Sequence, residues 1–257
     1  MRVITPESIL SWVVSSETRV FNQDMPKESL TCVRAMKNEP VSFALAYRST
    51  LERGRNKRVP DMPISISVTS DTLPIAVYKV CTVPFTASEC EDATPDTLGP
   101  CPDILRPRRA SPEILHLGDR LAPYVEADEE NTLNASCAVT QSIYITANEE
   151  GEILPAGKHD VCIRIFTLST GEKIAEHHVS VELIDAVLPE NALFFTHWFH
   201  YDCLARSHRV PVWSEEFFRL LGLYIKNATT HGMTALLTPA FTPALEHGAN
   251  ERTACRR

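Results

Sequence analysis

The residues best suited to chemistry lie in the stretch 193–202, where aromatic and titratable side chains are most densely mixed. Trp198, His200 and Asp202 occupy alternate positions there. Alternate residues of an extended strand share one face, so a strand over 193–202 is expected to present these three side chains together. An indole ring stacks on the apolar C–H surface of a sugar while imidazole and carboxylate groups bind its hydroxyls. The pattern therefore predicts a sugar subsite, and an ordinary core strand ending in satisfied polar residues explains it equally well.

A metal site is the other chemistry that this stretch suggests, through His197, His200 and Asp202. Alternation along the strand places His197 on the opposite face from His200, which leaves an ion short of ligands. None of the eight cysteines belongs to a C-x-x-C pair or to a Cys/His pair at zinc-ligand spacing. Phosphate loops, dinucleotide fingerprints and nucleophile elbows are also absent from the sequence. The sequence therefore predicts neither a metal nor a cofactor.

Composition limits the partners of the chain. Its 257 residues are 44% hydrophobic with a net charge of −8, which is typical of a globular protein and disfavours nucleic acid or an anionic membrane as a partner. No apolar run approaches the roughly 18 residues of a membrane span. The N-terminus does not resemble a secretion signal, so we expect a cytoplasmic protein with reduced cysteines. Cys162 and Cys203 are expected to be small core residues, and a Cys90–Cys101 bridge is the alternative.

Residues 1–188 are predicted to form an antiparallel β-sandwich. Apolar residues alternate with polar ones in several short runs separated by turn sequences, which is typical of half-buried strands. Between residues 83 and 123 the alternation stops, and frequent prolines predict an irregular, extended excursion. The predicted strands are 41–47, 64–68, 75–80, 139–146, 161–165 and 179–183, preceded by an apolar run at 9–14.

Residues 189–245 are predicted to form one βαβ unit. A strand over 193–198 precedes Ser214, a good helix N-cap, and an apolar stripe at helical spacing follows it. Gly232 suits the end of this helix, and a second strand is expected over 234–238. Residues 246–257 lack an apolar period and are predicted to be an unstructured or aberrant tail.

Several stretches of the chain resemble successive motifs of a single family, the glycoside-hydrolase-like proteins related to glycoside hydrolase family 123. That group includes a large uncharacterised branch known as a domain of unknown function. The resemblance extends over about residues 9–245. The stretches that carry it are 102–107, 188–189, 193–205, 212–216, 231–233 and 237–243.

The resemblance implies a β-sandwich followed by a (β/α)8 barrel, so the fold class expected is mainly β, with the first βαβ unit of a truncated barrel at the end. It also implies hydrolysis of glycosides, with β-N-acetylgalactosaminides as the characterised case and β-N-acetylhexosaminides as the expected substrate class. There an adjacent Asp–Glu pair acts by substrate assistance: Asp orients the 2-acetamido group and Glu protonates the leaving oxygen. This pair lies on a later barrel strand, and the sequence contains no matching position.

We therefore expect the N-terminal portion of a glycoside hydrolase, itself inactive because no catalytic residue is identified in it. Its glycan substrate is expected to contact Trp198, His200, Asp202, Phe241 and Thr242. The alternative is a non-catalytic β-sandwich module that binds a carbohydrate or a protein. The fragment hypothesis predicts an exposed apolar sheet and aggregation, whereas the module hypothesis predicts a stable, monodisperse chain.

Overall fold

A computed structural model describes residues 8–50, 62–85, 99–107, 132–135, 139–189, 194–230 and 232–237. The chain divides into two compact units, Met1–Leu188 and Pro189–Arg257. The strands are β1 (Ile9–Ser15), β2 (Cys32–Met36), β3 (Val41–Ser49), β4 (Met62–Thr69), β5 (Ile75–Phe85), β6 (Gly99–Pro107), β7 (Thr132–Ala135), β8 (Gln141–Ala147), β9 (Gly157–Thr167), β10 (Lys173–Ile184), β11 (Thr196–Trp198) and β12 (Ala235–Leu237). The helices are α1 (Tyr201–His208) and α2 (Glu215–Thr230).

The first unit contains two five-stranded sheets. The first has the order β1-β3-β8-β5-β6, with every neighbouring pair antiparallel. The second has the order β2-β10-β9-β4-β7 and is antiparallel except for β2, which runs parallel to β10. The described chain is thus mainly β with antiparallel sheets, which confirms that part of the prediction from the period-two pattern.

The core of the first unit contains residues of both sheets. Phe43 and Leu45 of β3 form a hydrophobic cluster with Ile64 of β4 and with Ile163 of β9, and all four side chains are fully buried. These residues recur at every second position of their strands, so each strand contributes one face to the core. Burial of each such side chain stabilises the fold by about 1.5–3 kcal/mol.

The other face of the first sheet is also covered in part. Ala44 and Ala46 of β3 cluster there with Trp12 and Val14 of β1, together with Val20 from the following loop. The small alanine side chains leave space for the indole ring, which is fully buried in consequence. β3 is therefore apolar on both faces, and this explains its nearly continuous run of apolar residues.

The connection between β8 and β9 depends on two residues with positive φ. Asn148 (φ 56°) closes the loop because its side chain accepts a hydrogen bond from the Glu152 amide at 3.0 Å and donates one to the Glu152 carbonyl at 2.8 Å. Gly151 (φ 68°) lies so close to Asn38 that a Cβ would stand 3.2 Å from its carbonyl oxygen. Residues 149–152 thus form one of the turns expected between the strands, and only glycine meets both demands at position 151 without strain.

Three strands of the first unit were not predicted, because the period-two pattern does not reveal them. β2 and β7 are short, and β6 lies within the proline-rich segment predicted to be irregular. That prediction is wrong for residues 99–107, because β6 pairs antiparallel with β5 at the edge of the first sheet. Proline is tolerated at a sheet edge, where its missing donor costs no ladder hydrogen bond. Residues 86–98 and 108–131 lie outside the described residues. The same holds for the run of basic residues at 53–58, for which the sequence favours a solvated loop over a nucleic-acid patch.

The second unit contains the parallel strands β11 and β12 and the helices α1 and α2. Residue 196 pairs with residue 235, and residue 198 with residue 237. α2 begins as predicted, because the Ser214 hydroxyl accepts a hydrogen bond from the Phe217 amide at 3.1 Å. Leu204 and Ala205 of α1 are buried against Phe217 and Leu220 of α2. Within the described residues, no helix is long and apolar enough to cross a membrane.

Candidate functional site

The carboxyl ends of β11 and β12 form the edge where the predicted substrate residues were expected. The Phe199 amide, just after β11, donates to the Leu237 carbonyl at 2.8 Å and so continues the ladder beyond the strand. At the opposite end, the Thr234 hydroxyl accepts a hydrogen bond from the Phe195 amide at 2.8 Å, and the Thr234 amide donates to the Phe195 carbonyl at 2.9 Å. Hydrogen bonds at both ends therefore fix the two strands in register.

The expected strand does not extend to Asp202. β11 ends at Trp198, His200 is extended (φ −102°, ψ 107°), and α1 begins at Tyr201. Asp202 is thus the second residue of a helix, and the prediction that strand alternation aligns it with Trp198 and His200 is wrong. The helix forms here because a short run of helix-favouring residues, Leu204 among them, buries apolar side chains against α2.

The ends of α1 are matched to the helix dipole, and this places Asp202. Its carboxylate lies in the first turn, where the helix is positive, and Arg206 lies in the last turn. Arg209 ends the helix in the left-handed conformation (φ 55°), and its amide bonds to the carbonyl of Arg206 at 3.3 Å. Asp202 is consequently held at the carboxyl end of β11 by the helix rather than by the strand.

Asp202 has a buried oxygen that the described residues leave unsatisfied. Its Oδ1 atom is shielded from solvent and has no hydrogen-bond partner there, and the same holds for Thr196 Oγ1 on β11. A buried acceptor without a partner costs about 1–3 kcal/mol, so native proteins rarely leave one unexplained. Asp202 Oδ1 is therefore left for a donor that the described residues do not supply.

The remaining predicted substrate residues are placed only in part. His200 is exposed immediately before α1. Trp198 ends β11, and its side chain lies outside the described residues, as do Phe241 and Thr242, which follow β12 in the sequence. The structure therefore brings the backbone of Trp198 together with His200 and Asp202, over five consecutive residues.

Aromatic rings pack behind this edge. Phe199 contacts Tyr201 edge-on with the ring centroids 5.6 Å apart, and it contacts Tyr224 of α2 at 6.0 Å. His208 Nε2 and the Tyr224 hydroxyl are hydrogen-bonded at 2.9 Å, and burial raises the pKa of Tyr224. Aromatic pairs of this kind each add about 0.5–1.5 kcal/mol beyond the burial of their area. The packing joins α1 to α2 and fixes the start of α1.

Trp213 is a further candidate that the pattern of Trp198, His200 and Asp202 does not include. It adopts φ 68°, a left-handed conformation that is strained for a bulky residue, and its side chain is 51% exposed. Its ring contacts Phe217 at 5.9 Å and Phe218 at 6.0 Å. An exposed indole held by two rings suits stacking against a sugar. The signals for it in the sequence are its position directly before the N-cap Ser214 and its place in the stretch 212–216, which resembles a motif of the family.

The other carboxylates of the described second unit have helix-related roles. Glu215 and Glu216 lie in the first turn of α2, and Glu216 binds Arg219 through two hydrogen bonds of 2.9 and 2.6 Å. Within residues 194–230 and 232–237, the carboxylates do not form the pair of general acid and nucleophile or base that glycoside hydrolysis requires. The groups that these residues present at the edge and on the surface are the exposed His200 imidazole, the Asp202 carboxylate and the Trp213 indole.

Two comparisons with known proteins indicate the same family. Residues 198–255 match the sequence model of the family described as glycoside hydrolase 123, catalytic domain. The chain also matches the solved structure of a family 123 glycoside hydrolase from Clostridium perfringens, which acts in glycolipid glycan hydrolysis, with a TM-score of 0.60 and 14% identity. The chain is related to glycoside hydrolase family 123. The structural match covers 89% of this chain and 37% of the clostridial enzyme, so the chain spans well under half of that family member.

Other solved structures match at TM-scores that support no inference. A FixG-related protein from Vibrio parahaemolyticus has a TM-score of 0.30 at 6% identity and covers 68% of this chain and 96% of its own. A PapD-like domain of human CEP192 has a TM-score of 0.28 at 11% identity, with 72% and 92% covered. No curated protein sequence matches the chain. The family 123 relationship thus rests on the catalytic-domain match and on the clostridial structure.

Proposed function

We propose that this chain is part of a glycoside hydrolase that acts on glycans, with a β-sandwich in the first unit and the start of a (β/α)8 barrel in the second. The match to the family 123 catalytic domain begins at Trp198, the last residue of β11. In parallel α/β barrels, substrates bind at the carboxyl ends of the strands. The edge formed by β11 and β12 then belongs to the substrate cleft.

Asp202 is the observation that carries the proposal. A buried carboxylate oxygen without a partner among the described residues, at a strand end, is suited to accept a hydrogen bond from a sugar hydroxyl or amide. His200 supplies a second polar group, and Trp198 an aromatic one. With Phe241 and Thr242 from the segment after β12, these residues are proposed to form one wall of a sugar subsite.

The substrate class follows from the relationship. The clostridial relative hydrolyses glycolipid glycans, and the resemblance of the motifs implies β-N-acetylhexosaminides. A carboxylate such as Asp202 is chemically suited to accept a hydrogen bond from the N–H of a 2-acetamido group. We propose a sugar bearing this group as the ligand.

This chain alone is proposed to bind its sugar without hydrolysing it. The described residues of the second unit provide no acid–base pair, and the chain corresponds to 37% of the clostridial enzyme. The test is incubation of the purified 257-residue chain with an aryl β-N-acetylhexosaminide. Release of the aryl alcohol above the rate of a buffer control would refute this part of the proposal.

Saturation-transfer NMR with N-acetylgalactosamine tests the subsite itself. We expect transfer to the sugar from the native chain and a loss of about tenfold in affinity for Asp202→Asn, since a hydrogen bond to a charged group is worth about 1.5–3 kcal/mol. Asp185→Asn, an exposed carboxylate of the first unit, is the matched control and should bind normally. Equal binding by both variants would remove Asp202 from the site.

A binding module is the second candidate, favoured by the complete core of the first unit. In that case sugar binding would survive Asp202→Asn and would require the sheets of the first unit. Mapping the chemical-shift changes of the protein on addition of the sugar separates the two proposals. The glycosidase proposal predicts changes near Asp202, and the module proposal predicts them in β1 to β10.

A further inference from the structure

The outward face of the β9–β10 pair holds a cluster of groups that the sugar site does not use. Cys162 of β9 lies directly opposite His178 of β10, and Arg164 lies opposite Glu176. Val161 and Ile163, on either side of Cys162 in β9, are fully buried in the core. Cys162 is therefore on the face of the strand turned away from the core. Two antiparallel strands thereby bring a thiol, an imidazole and a carboxylate together.

The three ligand atoms of this cluster converge. His178 Nε2 lies 3.8 Å from Cys162 Sγ and 3.3 Å from Glu176 Oε1, and all three atoms lie within 4.8 Å of one another. Bonds of about 2.0–2.3 Å to a tetrahedral ion place neighbouring ligand atoms about 3.3–3.7 Å apart. A small movement of the Glu176 and Cys162 side chains therefore satisfies that geometry.

The surrounding residues hold the ligands in the required orientation. His178 Nδ1 lies 2.8 Å from Asp160 Oδ2 and donates a hydrogen bond to this carboxylate, so Nε2 is the nitrogen that faces the cluster. Arg164 Nε and Lys173 Nζ donate to Glu176 Oε2 at 2.8 and 3.0 Å, which leaves Oε1 toward His178. Carboxylate–histidine pairs and anchored carboxylates are the usual outer shell of a zinc site.

We propose that Cys162, Glu176 and His178 bind a Zn²⁺ ion on the outer face of the second sheet, with water as the fourth ligand. A thiolate and an imidazole together favour zinc over calcium or magnesium, which prefer oxygen ligands. The ion joins two adjacent strands, so it acts as a cross-strand clip. This site goes beyond the proposed glycoside function and lies in the other unit of the chain.

A network of hydrogen bonds and ion pairs without a metal is the competing explanation for the same contacts. It accounts for Glu176, which the two cations neutralise, and for Asp160 beside His178. It accounts for Cys162 through the contact of its buried thiol with His178 Nε2 at 3.8 Å. Zinc binding differs from this network in requiring a thiolate, because the ion deprotonates the thiol and bonds the thiolate.

Titration of the full chain with Zn²⁺ tests the site, followed by replacement with Co²⁺, which reports thiolate ligation by a charge-transfer band. One equivalent should bind with a rise in thermal stability, since a ligand of the native state stabilises it. Cys162→Ser and His178→Ala should each weaken binding by about 100-fold, and Asp160→Asn by about tenfold. Cys101→Ser, a thiol on β6 in the other sheet, is the matched control and should leave binding unchanged.

Two results would overturn the site. Zinc affinity that is the same in Cys162→Ser as in the native chain would show that the ion binds elsewhere. A Co²⁺ complex without the charge-transfer band would show that no thiolate ligates it. Circular dichroism of each variant establishes that its strands are intact, so that loss of binding is not loss of fold.

Discussion

The two units of the chain bury their apolar residues to different extents. In the first, residues such as Phe43 and Ile163 from two five-stranded sheets form one cluster that is closed to solvent. In the second, the buried cluster is small, and large apolar residues remain in water: Phe194 is 79% exposed and Phe195 is 42% exposed. Among the described residues, the first unit thus closes its large apolar cluster to solvent, whereas the second leaves large apolar side chains exposed beside its two-stranded sheet.

The difference indicates where each kind of function belongs. A closed core gives a rigid scaffold. Strand pairing positions the side chains on its outward face, such as Cys162, Glu176 and His178. The second unit presents Asp202 at an incompletely covered edge. If the second unit begins a (β/α)8 barrel as proposed, exposed Phe194 and Phe195 are the surfaces that further βα units pack against.

Removal of a large ring from each buried cluster should have the largest effect on stability. Phe43→Ala should lower the free energy of unfolding of the first unit by about 3–5 kcal/mol, because a cavity remains in a closed core. Phe217→Ala should cost the second unit about 3 kcal/mol or less, since its small cluster can collapse around the gap. Urea unfolding followed by circular dichroism measures both. A larger loss for Phe217→Ala would contradict the contrast in closure.

Loss of the N-cap should give the next largest effect. Ser214→Ala removes the acceptor of the Phe217 amide and should destabilise α2 by about 1 kcal/mol. Ser214→Asp keeps an acceptor and is the control that should restore the helix. Helical ellipticity during thermal unfolding is the measurement, and equal melting of the two variants would exclude a capping role for this side chain.

Dye binding should show how much apolar surface each unit exposes in the native state. The exposed rings of the second unit should bind an apolar fluorescent dye, and Phe194→Ser with Phe195→Ser should lower its fluorescence by about half, in proportion to the apolar area removed. Ile153→Ser, at a residue 67% exposed in the first unit, is the control and should change little. Dye binding that is insensitive to both phenylalanines would favour the monodisperse binding module.

The smallest effect should be electrostatic. Hydrogen bonds from Lys173, Arg164 and His178 lower the pKa of Glu176 from 4.5 to about 2. Its folded pKa is depressed, so the stability it contributes is present above pH 4.5 and is lost as the pH falls towards about 2. A carboxyl NMR titration in the presence of a chelator should show the low midpoint, and Lys173→Met should raise it. An unchanged midpoint would assign the shift to Arg164 and His178 alone.

Much of the first unit could be predicted from the sequence, because half-buried strands leave a period of two. β4 shows this well, since the buried residues Ile64 and Ile66 alternate with serines that are only partly buried. β6 was missed for the opposite reason: an edge strand rich in proline has neither period nor strand propensity. Its identity comes from pairing with β5, which no local pattern contains.

The candidate site could be predicted in location but not in geometry. Trp198, His200 and Asp202 were identified by residue type, and they do lie at the end of a parallel strand. The eight residues of α1 are too short for a convincing helical period, so strand alternation was extended through them. The proposed zinc site was not predicted for a related reason, because Cys162 and His178 are neighbours only across a strand pair.

The prolines of β6 also bear on how this protein avoids assembling with itself. A sheet that ends in unpaired backbone groups is a template on which another chain can add a strand, the first step towards a fibril. Pro100, Pro102 and Pro107 contribute no amide donors, so an incoming strand gains few hydrogen bonds at β6. The stretch that was predicted to be irregular thus disfavours the addition of another strand at the described edge of the first sheet.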